Sequence, residues 1–259
     1  MSLSLCVLGS GSSGNCTYVA SDSTRVLIDA GLSGREITTA LSTLGVDMSS
    51  LAGVLVTHEH TDHINSLKLL HRKYGLPIYA NSETVRGIQQ MDKTDIPFNV
   101  FVTGSSFQVG DLTIETFPVP HDSLDPVGYI VKCNDVVAGI VTDIGYPTTL
   151  VRERLCKCHT IVLECNHDEK MLRNARRPWS LKQRIASRHG HLSNVQAAKL
   201  IAEIANPSLR IVFLAHLSRE CNKPELAVKT VEQTLRKNGY SHIQIKLTYQ
   251  DKISEIVTL

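Results

Sequence analysis

No run in the 259-residue chain approaches the roughly 18 consecutive apolar residues that a membrane-spanning helix requires. Its opening, MSLSLCVLGSGSSGN, also lacks the succession of basic, apolar and small residues that makes a secretory leader. An unexported, cytoplasmic protein with no membrane partner is therefore expected. A disulfide framework is missing as well, because seven cysteines, an odd number without regular spacing in a chain this long, suit a reducing compartment. Cys156 and Cys158 form a lone Cys-x-Cys, half of a zinc site, and read as structural. The net charge of +2 is too small to announce a nucleic-acid protein, so only a local patch can decide that point. Repeats, low-complexity tracts and long Pro/Gly/Ser linkers are absent. These absences leave one domain spanning residues 1–259, with 42% hydrophobic content for a single large core.

What is present is a succession of apolar, β-branched runs bounded by Gly, Pro, Asn or Asp: LSLCVLG, TRVLIDAG, AGVLVTH, LPIYA, LTIETFPV, VGYIVKC, VVAGIVTD, HTIVLEC, RIVFLAH and IQIKLTY. These read as strands. Helical periods lie between several of them, in SGREITTALSTLG, NSLKLLHRKYG, SETVRGIQQM, LSNVQAAKLIAEIA and KPELAVKTVEQTLRKNG, with Gly45, Gly75 and Gly239 where helix ends are expected. The class is α/β. From Phe101 to Asp143, however, strands follow one another with almost no helix, which a doubly wound parallel sheet would not show. A layered sandwich of mixed sheets fits better.

Gly9-Ser10-Gly11-Ser12-Ser13-Gly14 matches the dinucleotide fingerprint Gly-x-Gly-x-x-Gly, but that chemistry needs a helix to open there, and NCTYVAS continues as a strand instead. A tight strand-to-strand turn is the better reading. Its backbone N–H groups can face an anion, which keeps Ser12, Ser13 and Asn15 as candidate substrate-lining residues.

Behind the run ending at Val56 stands THEHTDH. In an extended or turning segment side chains two apart point the same way, so His58 and His60 can share one metal ion while Asp62 and His63 aim at a second. Four side chains are too few for two ions that must each keep a position open for water. Further ligands should also stand at strand ends, where His121, Asp143 and His216 are found.

The ordered set of Asp29 in VLIDAG, THEHTDH, His121, Asp143 and His216 resembles the five motifs of the metallo-β-lactamase fold, over nearly the whole chain. Within that superfamily LGSGSSGN, IDAGLSGREI, ECNHD, GHLSN and AHLSREC resemble the YycJ/VicX-type (WalJ) nucleases. Those are related to the cyclic phosphodiesterases of phosphonate metabolism and, more distantly, to tRNA 3′-processing endonucleases. The resemblance implies an αβ/βα four-layer sandwich of two mixed β-sheets flanked by helices, with metals between the inner sheets. It implies one ion on His58, His60 and His121, another on Asp62, His63 and His216, Asp143 bridging, and Asp29 orienting the histidine loop from behind.

Water between two divalent cations is acidified from a pKa of about 15.7 toward 7, so hydroxide is the expected nucleophile, oriented by Asp62. Zinc and manganese both suit the His/Asp ligand set. His167 in ECNHD and His191 in GHLSN lie in polar, turn-like contexts and are candidates to neutralise a phosphate and protonate a leaving oxygen. Their order with His216 is similar to that in the tRNA-processing relatives, although Leu192-Ser193 stands where those have Ser-Thr. Between them, KMLRNARRPWSLKQRIASRHGH carries Lys170, Arg173, Arg176, Arg177, Lys182, Arg184 and Arg188 without an Asp or Glu. Arg173, Arg176, Arg177 and Lys182 suit phosphate-backbone contacts and Trp179 a stacking platform, largely independent of base sequence. The expected function is a two-metal phosphodiesterase acting on nucleic acid, and the resemblance implies a DNA exonuclease. The alternative is a small-molecule hydrolase of the same fold, either a cyclic phosphodiesterase or a thioester or lactam hydrolase.

Overall fold

The computed structural model describes residues 2–91 and 95–259. Its strands are β1 (Ser4–Gly9), β2 (Cys16–Ala20), β3 (Arg25–Ile28), β4 (Gly53–Leu55), β5 (Ile78–Asn81), β6 (Phe98–Phe101), β7 (Ser106–Val109), β8 (Leu112–Pro118), β9 (Val127–Cys133), β10 (Val136–Val141), β11 (Thr160–Glu164), β12 (Ile211–Ala215), β13 (Gln244–Leu247) and β14 (Val257–Thr258). The α-helices are α1 (Gly34–Thr43), α2 (Thr61–Ile64), α3 (Leu67–Tyr74), α4 (Ser82–Met91), α5 (Thr149–Leu155), α6 (Glu169–Asn174), α7 (Trp179–Ile185), α8 (Asn194–Ile204) and α9 (Pro224–Lys237). The strands form two seven-stranded mixed sheets, flanked by helices. By contacts the chain divides into two compact units. The first takes Met1–Pro118, Ser123–Val136 and Tyr249–Leu259, and the second Val119–Asp122 and Val137–Thr248.

In the first unit β14, β1, β2 and β3 pair antiparallel, and β3 to β6 run parallel. Leu27, Val54 and Ile78 are fully buried in the same core cluster as Ile37 and Leu41 of α1 and Leu67 and Leu70 of α3. α1 begins where Ser33 closes a capping box, its Oγ accepting from the Glu36 amide at 3.3 Å while Glu36 accepts from the Ser33 amide at 2.9 Å. An antiparallel meander, β7 to β9, supplies the second apolar face of this unit. Phe101 stacks on Phe107 at 5.3 Å and meets Tyr129 edge-on at 6.2 Å. Tyr129 Oη donates to the Val56 carbonyl at 2.6 Å, tying β9 to the residue just before the histidine loop.

The glycine-rich segment after β1 is the strand-to-strand turn expected, since the chain reverses directly into β2 and no helix opens there. Gly14 of this turn and Gly31, after β3, serve a close backbone approach. A Cβ on Gly31 would lie 1.6 Å from the Asp62 carbonyl oxygen, and one on Gly14 would lie 2.8 Å from the Gly31 carbonyl carbon. Three loops therefore meet main chain to main chain, joined by Asn15 N–Asp62 O (2.8 Å), Gly31 N–Asn15 O (2.9 Å) and Ala30 N–His63 O (2.8 Å).

In the second unit β10, β11, β12 and β13 run parallel. α8 and α9 pack together, burying Leu200, Ile201 and Ile204 on one and Ala227, Val231 and Leu235 on the other. The stretch after Asp168, read only as a basic segment, contains two short helices. Asp168 caps α6 by accepting from the Lys170 and Met171 amides at 3.0 and 2.9 Å. Pro178 stands immediately before α7. With six and seven residues, neither helix is long enough to display a 3.6-residue period.

Candidate metal centre

Parallel strands bring their carboxyl ends to one edge, the usual place for ligand-binding groups in α/β sheets. In the first unit that edge carries Asp29, directly after β3, and Thr57 to His63, after β4. Asp29 is 3% exposed and adopts a left-handed backbone, φ 62°. Its Oδ1 accepts from the Thr57 amide at 2.8 Å, and its Oδ2 lies 2.7 Å from Nδ1 of His63. A carboxylate only accepts, so Nδ1 of His63 is the donor and Nε2 is the basic nitrogen, the one suited to a metal. Nδ1 of His58 lies 2.9 Å from Thr57 Oγ1, while its Nε2 lies 3.1 Å from Nδ1 of His60. Imidazole nitrogens converging at that distance, beside a carboxylate two residues on, form a donor set suited to a divalent transition metal. Asn15 joins this group: its Nδ2 lies 3.1 Å from His63 Nε2 and 3.4 Å from Asp62 Oδ2.

In the second unit the same edge carries Asp143 after β10, Glu164 as the final residue of β11, and His216 directly after β12. Asp143 and His216 also have left-handed backbones, φ 55° and 57°. For a residue other than glycine such a conformation costs about 1–3 kcal/mol and tends to collect at functional sites. Donor atoms of Asp143, Glu164, His191 and His216 all lie within 4.8 Å of one another, a grouping able to hold a metal ion. Glu164 Oε1 lies 2.7 Å from Nδ1 of His191 and 2.9 Å from Nδ1 of His216, while Oε2 accepts from the Leu192 and Ile144 amides at 3.0 and 3.1 Å. Burial opposes the charge on Glu164, but His191 and both hydrogen-bonded imidazoles outweigh it, so its pKa falls well below the usual carboxylate range. Burial likewise opposes a charge on His191, and the Glu164 carboxylate outweighs it, raising the imidazole pKa. His121 lies with its Nδ1 3.2 Å from the Gly190 carbonyl and its Nε2 3.8 Å from Asp143 Oδ1; burial, the largest influence, lowers its pKa.

His58, His60, Asp62, His63, Asp29 and Asn15 thus come together within the first unit, and His121, Asp143, His191 and His216 within the second. Ser12 and Ser13 are exposed, and Ser13 Oγ donates to Gln250 Oε1 at 2.8 Å rather than joining Asn15. His167 lies outside the Asp143–Glu164–His191–His216 group, on the loop that follows Glu164. The basic stretch is less unopposed than its sequence suggests, because acids from distant segments reach it: Arg177 pairs with Glu220 at 2.7 Å, and Arg184 with Asp122. Arg173 and Arg176 are exposed and make no ion pair among the described residues, and Lys182 Nζ donates to the Arg173 carbonyl at 2.7 Å. Trp179 is 66% exposed. Glu164 is the site residue that sequence reading missed. Its signal was an acid closing an otherwise apolar strand, where a buried charge demands partners.

A family model described as a β-lactamase superfamily domain matches residues 24–216. The chain belongs to that superfamily. It is 39% identical to the exodeoxyribonuclease YycJ of Bacillus anthracis over 93% of this chain and 92% of that one. To the exodeoxyribonuclease WalJ of Streptococcus pneumoniae it is 36% identical, over 88% and 87%. Among solved structures, the metallo-β-lactamase fold protein YhfI from Bacillus subtilis superposes with a TM-score of 0.75 over 100% of both chains at 15% identity, a likeness of fold alone. Superfamily membership and the histidine–carboxylate groupings together mark a metal-dependent hydrolase. Among the described residues no helix is long and apolar enough to cross a membrane.

Proposed function

We propose that this protein is a metal-dependent exonuclease of DNA, working with two divalent ions, zinc or manganese, in the cytoplasm. The observation that carries the reading is the grouping of Asp143, Glu164, His191 and His216, in which a buried carboxylate aims two imidazoles from one oxygen. The names and high coverage of YycJ and WalJ support DNA as the substrate. Seven free cysteines support a reducing compartment.

The metal ligands in this reading are His58, His60, Asp62 and His63 of the first unit and His121, Asp143 and His216 of the second, with Asp29 and Glu164 orienting imidazoles behind them. The ions supply Lewis acidity toward a phosphate oxygen and acidify water. Asp62 orients the attacking water. His191, its Nδ1 engaged by Glu164, protonates the departing oxygen through Nε2. Arg173, Arg176 and Lys182 meet backbone phosphates beyond the scissile bond, largely without regard to sequence.

A second reading, hydrolysis of a small diester, is favoured by the ion pairs that Arg177 and Arg184 make with Glu220 and Asp122, since these draw two cations away from a phosphate track. Assaying an end-labelled single-stranded DNA, bis(p-nitrophenyl) phosphate and a thioester side by side, with and without chelator, separates them. Chelator-sensitive release of mononucleotides from DNA is expected. Turnover of the small diester without any attack on DNA would overturn the nuclease in favour of the second reading.

A further inference from the structure

One cavity of the second unit is not explained by metal chemistry. It measures about 290 Å³, near the low end of small-ligand sites, and its lining includes His167, Leu172, Arg173, Trp179, Lys182 and Gln196. Two of its walls adjoin the Glu164 group, for Glu164 ends β11 and His167 follows it, while His191 and Ser193 precede α8. His167 is 2% exposed, and its Nδ1 is a buried ring nitrogen with no hydrogen-bond partner among the described residues. An orphaned buried nitrogen is costly unless something fills that role in the working protein. Opposite in character, Trp179 lines the same cavity yet is 66% exposed. Tryptophan is among the side chains that bury the largest apolar surface, so an indole left this open favours a flat partner.

We propose that this cavity is a nucleobase subsite, in which an unpaired base stacks on Trp179 and hydrogen-bonds His167 while Arg173 and Lys182 hold the attached phosphate. This rests on the nuclease reading and deepens it by naming where one nucleotide of the strand sits. The chemistry matches part by part. Trp179 and Leu172 offer apolar surface to the faces of a ring. The imidazole of His167 and the carboxamide of Gln196 offer a mixed set of donors and acceptors to its edge. Arg173 and Lys182 add a guanidinium and an ammonium group to the lining for an anion. Burial lowers the pKa of His167, which keeps the imidazole neutral with one donor and one acceptor to offer. A single-stranded substrate is implied, because a base inside a duplex cannot leave its stack without cost to enter such a pocket.

Trp179 is the only tryptophan in the chain, so its fluorescence reports on this cavity alone. In chelator, with no metal to bind phosphate and no turnover, dAMP should quench it saturably, whereas deoxyribose 5-phosphate and inorganic phosphate should not. By calorimetry under the same conditions, Trp179→Leu should weaken binding of a short single-stranded oligonucleotide about tenfold, within the range found for base–aromatic stacking, and Trp179→Phe should largely restore it. The loss should vanish with an abasic oligonucleotide. Because Trp179 is exposed, these variants test the surface without threatening the fold. Absence of quenching by dAMP, or an equal loss with abasic DNA, would overturn the subsite even if DNA hydrolysis is observed. Quenching with no hydrolysis of any DNA would instead uphold the subsite and refute the nuclease.

Discussion

Oε1 of Glu164 lies 2.7 Å from Nδ1 of His191, and the same oxygen lies 2.9 Å from Nδ1 of His216. One buried carboxylate thus fixes the tautomer and the aim of two imidazoles. Glu164→Gln keeps the shape but removes the anion, and its amide nitrogen must face either the two imidazole N–H groups or the Leu192 and Ile144 amides, donor against donor. Metal affinity or kcat should fall about 10–100-fold with the circular dichroism spectrum unchanged. Wild-type values for both would show that the carboxylate has no part in the site.

His191→Ala should act selectively. A general acid is typically worth about 10²–10⁴-fold, and it matters most when the departing oxygen is a poor leaving group. DNA hydrolysis should therefore suffer far more than hydrolysis of bis(p-nitrophenyl) phosphate. Equal losses on the two substrates would point to phosphate binding instead.

Purified protein loaded with zinc or manganese should carry close to two ions per chain by elemental analysis. Asp62→Ala should lower that content and abolish turnover while the fold persists. Saturation at one ion in the wild type would rule out the two-metal arrangement, and wild-type turnover by the variant would remove Asp62 from it.

A pH effect is expected far from the metal ligands. Asp111, at the β7–β8 turn, accepts from Ser21 Oγ at 2.6 Å, and this hydrogen bond, followed by that of Thr24, lowers its pKa from 3.8 to about 2. The unfolded chain therefore binds this proton more readily than the folded one. Its stabilisation is present above pH 3.8 and is lost as the pH falls toward 2. Asp111→Asn should flatten the decline of the urea midpoint within that window. Identical slopes for variant and wild type would refute the assignment.

Much of this architecture was legible in the chain because the chemistry sits where strands end. Asp143 and His216 close apolar runs that are strands, and the turn at each is sharp enough to require left-handed backbone, so a polar residue there was conspicuous. Glu164 was hidden because it is the last residue within β11 rather than the first beyond it, and a single acid in HTIVLEC reads as the edge of a core segment. β6 and β14 escaped notice for other reasons: FNVF is half exposed, and Val257–Thr258 is only two residues long. The pairing of Arg177 with Glu220 and of Arg184 with Asp122 had no local signal at all, since charge neutralisation across 43 and 62 positions is a property of the tertiary structure.

The pairing of β1 with β14 sets a kinetic order. Ser4 lies opposite Thr258, 254 positions away, and Val7 donates to Ser254 Oγ at 2.9 Å. The entropy of closing a loop grows with its length, and contacts of such separation form late in a folding reaction. The second unit comes almost entirely from the continuous stretch Val137–Thr248 and can gather its parallel strands before that closure. The first unit, with its histidine loop, begins earlier in the chain yet acquires its outermost strand only once residues 249–259 return to it. Protection of the Leu3 and Val7 amides, which donate to Leu259 and Ser254, against hydrogen exchange should consequently lag behind that of β11 and β12 during refolding.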